Sequence, residues 1–145
     1  MRQRIHQFMR ALFGRLDAKG HDFVRSYLSP AEQKLFYEMH AADQYHAFRV
    51  ALTAQELYTE HGHMDTAEYF LLTRCALLHD IGRTKGTADI WGKVLAVLLY
   101  RFVPSAIPYF TRVKDAPCIR GRIGLALYVY ASHPYIGAEK LRAIG

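Results

Sequence analysis

The stretch that leads to an adjacent histidine and aspartate constrains the fold of this chain most. Leu71, Cys75 and His79 recur every four residues, and the row beside them ends at Asp80. This spacing is typical of side chains on one face of an α-helix. We therefore expect a helix over residues 66–79, with both rows buried and Cys75 an inert thiol inside the core.

The His79-Asp80 doublet at the end of that helix has two interpretations. Buried polar groups are costly unless they are satisfied, so the pair needs partners. The first interpretation is a hydrogen-bonded core histidine beside a capping aspartate. The second is a metal site, because imidazole and carboxylate are common ligands of Zn, Mn, Fe or Mg. Gly82 and Arg83 follow at once and indicate a loop that carries a cation.

Helical periodicity returns along most of the chain, and no strand alternation or internal repeat is visible. Ser29, Pro30 and Glu32 form a helix start with a capping box. Predicted helices cover residues 5–16, 22–28, 30–39, 43–60, 66–79, 89–102 and 116–131, with short ones at 105–111 and from 134 onward. A chain of 145 residues suits one core, so we predict one all-α domain over residues 1–145.

Histidines occur at three further places within or at the ends of predicted helices. His46 shares a helical stripe with Val50, so we expect it to face inward, either as a core histidine or as a ligand. His61 and His63 end the same helix, where we expect exposed loop residues rather than an adventitious metal site. His133 precedes a proline, at a predicted break before the final short helix.

Charge and cysteine usage narrow the partners and the compartment. The formal net charge is +6 with a pI near 9.4, which favours anionic partners. Phosphorylated metabolites, nucleic acid and an acidic membrane surface all satisfy that condition. Two distant cysteines make a disulfide framework improbable and favour the cytoplasm. No secretory leader is visible, and the longest apolar run, 94–100, is too short to span a bilayer.

Three segments resemble the HD-domain superfamily of metal-dependent phosphohydrolases. They are DQYHAFRVA at 43–51, ALLHDIGR at 76–83 and HPYIGAEKL at 133–141. The segment at 76–83 resembles the family's HDIG segment, and the one at 133–141 resembles the H-P-x-I-G-A-x-x-L segment of its HD-GYP-like members. The resemblance covers residues 43–145 and leaves 1–42 without a counterpart. It implies a helical bundle built around a metal site.

By the same resemblance, His46, His79 and Asp80 would bind one or two divalent ions, of Fe, Mn, Zn, Ni or Mg. His133 would be a ligand of a second ion or a phosphate contact. Asp80 would bridge two ions or orient the attacking hydroxide, and Arg83 would contact phosphate where the family often has lysine. The implied reaction is hydrolysis of a phosphomonoester or phosphodiester in a nucleotide-like substrate.

The sequence departs from the family's pattern at its closing aspartate. Asp115 precedes the His133 segment, and Glu139 falls at a variable position. The Gly-Tyr-Pro segment of HD-GYP members is also absent. Either the protein is longer than this sequence, or the domain is a degenerate module that senses a ligand or binds a partner protein. The aromatic-rich stretch 91–110 is expected to be core, with a pocket cover, a homodimer face or a lipid contact as alternatives.

Overall fold

The computed structural model describes residues 14–62, 65–86, 95 and 98–145. Its helices are α1 (Ala18–Tyr27), α2 (Pro30–Tyr37), α3 (Ala41–Glu60), α4 (Thr66–Leu78), a 3₁₀ turn (Pro104–Ala106), α5 (Ile107–Thr111) and α6 (Ile119–Ile144). Within these ranges there is no β-strand, and one isolated bridge pairs Met39 with Thr84. The prediction of an all-α chain is confirmed. The helix predicted at 5–16, and most of the one at 89–102, lie outside the described residues.

The predicted start of α2 is confirmed and also ties α2 to α4. The Ser29 hydroxyl accepts a hydrogen bond from the Glu32 backbone N–H, and the Glu32 carboxylate accepts one from the Ser29 N–H at 2.9 Å. The other carboxylate oxygen of Glu32 accepts a 2.6 Å hydrogen bond from Arg74 Nε. Since the Glu32 side chain is 4% exposed, this ion pair anchors α4 against the beginning of α2.

The hydrophobic core lies where α1 and α2 cover the pair formed by α3 and α4. The largest fully buried apolar side chains in it are those of Phe36, Met39, Leu77, Ile81 and Val24. Ala47 and Ala51 lie on the buried face of α3, where small side chains let α4 approach closely. A five-residue connection between α3 and α4 makes the two helices antiparallel, which returns the end of α4 to the beginning of α3.

The prediction that both rows of α4 are buried is wrong for the Leu71 row, whereas in the other row Ala76 and Asp80 are buried, at 9% and 2% exposed. Leu71 is 56% exposed, Leu72 is 36% exposed, and Cys75 is exposed as well. The buried side of α4 consists of Thr73, Ala76, Leu77 and Leu78, and Thr73 and Leu77 have no exposed surface. Because the described chain covers only that side of the helix, the row that ends at His79 faces a groove.

The break predicted at 129–134 is also wrong, because α6 runs without interruption through Pro134. Proline has no N–H, so the Tyr130 carbonyl four residues earlier loses its usual helical donor. The His133 imidazole replaces that donor, with Nδ1 2.8 Å from the Tyr130 oxygen. In the described part of the chain, no helix is both long and apolar enough to cross a membrane.

Candidate metal centre

Three of the predicted site residues come together where α3, α4 and the following loop meet. His46 lies on α3, His79 is the C-terminal cap of α4, and Asp80 follows it. One ligand atom from each lies within 4.8 Å of the other two. Asp80 is buried, whereas His46 and His79 are exposed on the open side, so the prediction that His46 faces inward is wrong. The group therefore has the donor types and the spacing needed to hold one metal ion.

Glycine at position 82 allows the loop after α4 to reach α6. A Cβ on Gly82 would lie 2.1 Å from the carbonyl oxygen of His133, so no larger residue fits without movement. Gly137 faces the same loop, and its added Cβ would lie 3.3 Å from Ile81 and 3.4 Å from the Gly82 nitrogen. This close approach of two backbones brings His133 beside Asp80.

Both imidazoles that contact Asp80 are oriented by a backbone carbonyl three residues earlier. His79 Nδ1 lies 2.7 Å from the Ala76 oxygen, and His133 Nδ1 lies 2.8 Å from the Tyr130 oxygen. Since a carbonyl can only accept, Nδ1 must carry the hydrogen in both rings. The Nε2 atoms then point at the carboxylate, 3.4 Å from Oδ2 for His79 and 3.2 Å from Oδ1 for His133.

This arrangement fits a cation. In a neutral imidazole with its hydrogen on Nδ1, Nε2 is an acceptor. His133 Nε2 has a donor in Arg83 Nη2, 3.2 Å away, whereas His79 Nε2 faces another acceptor on Asp80. A proton or a metal ion between them removes the repulsion. Without metal, the hydrogen bond to Asp80 raises the pKa of His79 despite its partial burial. Histidines whose second nitrogen is fixed by a carbonyl are the usual form of metal-binding imidazole.

The electrostatics keep the other two ligands in the forms that bind metals. Burial by itself would raise the pKa of Asp80, but the hydrogen bond from His79 and the charge of Arg83 lower it overall. The pKa of His46 is lowered, chiefly because its ring has lost solvent contacts. At neutral pH Asp80 is thus ionised and His46 is neutral, which are the states a metal ion requires.

Arg83 lies against Asp80 with its planar group held in place. Nη1 is 3.3 Å from Asp80 Oδ2, Nη2 is 3.2 Å from His133 Nε2, and the guanidinium is 5.8 Å from the centre of the Tyr130 ring. Its Nε is buried and has no hydrogen-bond partner in the described part of the chain. The residue is therefore a rigid cation beside the candidate ligands.

The remaining predicted residues are distributed unevenly. His133 and Arg83 contact Asp80 but do not belong to the group of three ligand atoms. The later carboxylates stand apart, since Asp115 pairs with Lys114 and the exposed Glu139 pairs with Arg142. His61 is exposed as expected, and His63 lies outside the described residues.

One buried carboxylate had no role in the sequence interpretation. Asp43 lies one helical turn before His46 and is 7% exposed, and its charge opposes in small part the lowering of the His46 pKa by burial. Its spacing of three residues from His46 was the signal available. The pair of Glu32 and Arg74 gave no such signal, because 42 residues separate its partners.

Comparisons of this chain with protein-family models, with curated proteins and with solved structures found no match. An assignment of function therefore depends on the chemistry of the site.

Proposed function

We propose that this protein is a metal-dependent phosphohydrolase of the HD-domain type that cleaves a phosphomonoester or a phosphodiester. The observation that carries the proposal is the convergence of His46, His79 and Asp80 within 4.8 Å. Nitrogen and carboxylate ligands on a partly open surface leave room for water and substrate. A divalent ion held there would lower the pKa of a bound water and polarise a phosphoryl oxygen.

Three residues beside the metal site would contribute to catalysis directly or by positioning. Asp80 accepts hydrogen bonds and binds cations with both carboxylate oxygens, and it orients a water molecule at the site. Arg83 keeps one further N–H on each terminal nitrogen besides its contacts with Asp80 and His133, and its planar group matches the geometry of phosphate oxygens better than the point charge of a lysine. Charge neutralisation of this kind supplies much of the catalysis of phosphoryl transfer. The His133 imidazole, fixed by the Tyr130 carbonyl, positions Arg83 from the other side.

Metal content tests the ligand set directly. We would reconstitute the protein separately with Mn²⁺, Fe²⁺ and Zn²⁺ and measure bound metal in the parent, His79→Ala and Asp80→Asn. The parent should retain about one ion and both variants should lose it. His61→Ala is the matched control, because this exposed histidine also has Nδ1 against a carbonyl, 2.7 Å from Leu57. Equal metal in all four proteins would refute the site.

Activity then separates an enzyme from a binding module. Bis-p-nitrophenyl phosphate and p-nitrophenyl phosphate report diesterase and monoesterase activity. Arg83→Lys should keep the metal but lower kcat by about 10²-fold, as the loss of a charge-stabilising donor typically does.

The second candidate function is a non-catalytic helical module that binds metal or ligand. The position of Asp115 and Glu139 on the surface, away from the group of three, favours it. A metal-loaded parent that hydrolyses neither ester would support this alternative and refute the hydrolase.

A further inference from the structure

A groove of about 500 Å³ opens beside the candidate metal centre. It runs between α4 and α6, and each helix lines it with residues three or four positions apart. These are Leu71, Cys75 and Leu78 on α4, and Pro134, Ala138 and Leu141 on α6. His79 belongs both to the lining of the groove and to the metal-binding group. The groove and the site are therefore neighbouring parts of one surface.

The groove has the size and surface of a ligand site. From His79 back to Leu71 the α4 backbone rises about 12 Å, at 1.5 Å per residue. Leu78 is 7% exposed and lies on the floor, whereas Leu71 is 56% exposed and lies at the rim. Cavities of several hundred Å³ with mainly apolar linings are typical of small-molecule sites.

Charge divides this surface into two ends. Arg74 and Glu32 both line the groove, but their ion pair, with Nε 2.6 Å from Oε1, cancels their charges. Burial alone would raise the pKa of Glu32, yet hydrogen bonds from Ser29 and Arg74 lower it, so the pair stays ionised. The groove thus offers an anion no net attraction. At the other end the groove reaches the metal-binding group through His79, and Arg83 contacts Asp80 of that group.

We propose that the ligand of this site is an amphiphilic phosphoester. Its phosphate would lie at the Arg83 end, and a hydrocarbon body up to about 12 Å long would occupy the groove between α4 and α6. The phosphate end rests on the function proposed above, whereas the apolar end rests on the groove alone. A nucleobase fits less well, because its polar edges need several partners and most of the groove lining on α4 and α6 is apolar.

The two cysteines provide an internal test. Cys75 is exposed within the groove, and Cys118 is exposed at the beginning of α6, outside it. We would measure the rate of thiol modification in Cys118→Ser and in Cys75→Ser, each with one remaining cysteine. Decyl phosphate below its micelle concentration is the probe. At about ten times its Kd, mass action predicts roughly tenfold slower modification of Cys75 and no change at Cys118.

Inorganic phosphate and adenosine monophosphate should leave the Cys75 rate unchanged. Ala138→Leu places extra carbon atoms in the groove and should weaken decyl phosphate binding in calorimetry, whereas Ala131→Leu, at an exposed position of the same helix, should not. The inference is overturned if decyl phosphate fails to protect Cys75. Equal protection of both cysteines, or equal protection by inorganic phosphate, overturns it too.

Hydrolysis of decyl phosphate separates this inference from the proposed function. Protection of Cys75 without cleavage of any phosphoester would support the groove as an amphiphile site and refute the hydrolase. Cleavage of nucleotide esters, with no protection by decyl phosphate, would support the hydrolase and overturn the groove.

Discussion

Replacing Gly82 with alanine should separate the loop after α4 from α6 and widen the candidate site. An added Cβ would lie 2.1 Å from the His133 oxygen, 2.8 Å from its carbonyl carbon and 2.9 Å from its Cα. Since carbon and oxygen approach comfortably only to about 3.3 Å, the two backbones must move apart by roughly 1 Å. Because the contacted atoms belong to the backbone, no change of rotamer can relieve the clash. We therefore expect the free energy of unfolding to fall by about 3 kcal/mol, the upper end of the range for overpacked cores.

The same movement should weaken the site. The 3.2 Å distance between His133 Nε2 and Asp80 Oδ1 would grow to about 4 Å, beyond hydrogen-bond reach. Misplaced supporting groups typically cost 10- to 100-fold in metal affinity. We would measure unfolding by heat and by urea, where the expected loss corresponds to roughly 10 °C in Tm, and metal affinity by calorimetry.

Gly137→Ala is the matched control, because it adds the same methyl group to the other side of the same contact. Its Cβ would meet the Ile81 side chain at 3.3 Å and the Gly82 nitrogen at 3.4 Å, distances that small adjustments accommodate. We therefore expect a change below about 1 kcal/mol. The reasoning would be refuted if Gly82→Ala kept parental stability and metal affinity, or if both alanine variants were destabilised equally.

Two further predictions concern stability. In the folded protein the pKa of Glu32 is lowered, because hydrogen bonds from Ser29 and Arg74 outweigh the effect of burial. The ionised carboxylate therefore stabilises the fold above its unfolded pKa, and this stabilisation is lost as the pH falls through its folded pKa. Glu32→Gln should cost about 2 kcal/mol at pH 7 in urea unfolding, and this cost should shrink as the pH falls through the lowered folded pKa of Glu32; a difference that does not depend on pH would contradict this. Pro134→Ala should raise stability by about 1 kcal/mol or more, since it restores a helical N–H, but that N–H would compete with His133 for the Tyr130 carbonyl. Nitrogen NMR of the His133 ring should then show less of the tautomer with hydrogen on Nδ1, and an unchanged tautomer population would exclude the competition.

Local patterns predicted the helices of this protein well where capping chemistry or strong periodicity was present. Ser29, Pro30 and Glu32 marked the beginning of α2 correctly, because the capping box depends only on residues three apart. The resemblances at 43–51 and 76–83 indicated that His46, His79 and Asp80 belong together, and the structure brings their ligand atoms within 4.8 Å. The identity of any bound ion has no sequence signal, since nitrogen and carboxylate donors suit several metals.

The errors came from tertiary context. Apolar spacing on α4 predicted burial on two rows, but spacing cannot say how many neighbours a helix has, and the Cys75 row faces a groove. Proline at 134 predicted a break, because it has no N–H to donate to the Tyr130 carbonyl. The sequence pattern does not reveal that the His133 side chain takes the place of this donor. The ion pair of Glu32 and Arg74 joins residues 42 positions apart, beyond any local pattern.

Irregularities of the helices are therefore the features that organise the site. His79 donates to a carbonyl in the last turn of α4, where carbonyls lack backbone donors, and His133 donates to the carbonyl that Pro134 leaves free. Each imidazole is fixed by a backbone oxygen that, in a helix with all its backbone hydrogen bonds, would accept from a backbone N–H instead. Gly82, which a regular helix would also exclude, lets the two imidazoles approach the same carboxylate. A sequence optimised for helix stability at these positions would lose the orientation of both Nε2 atoms, so stability and site geometry oppose each other here.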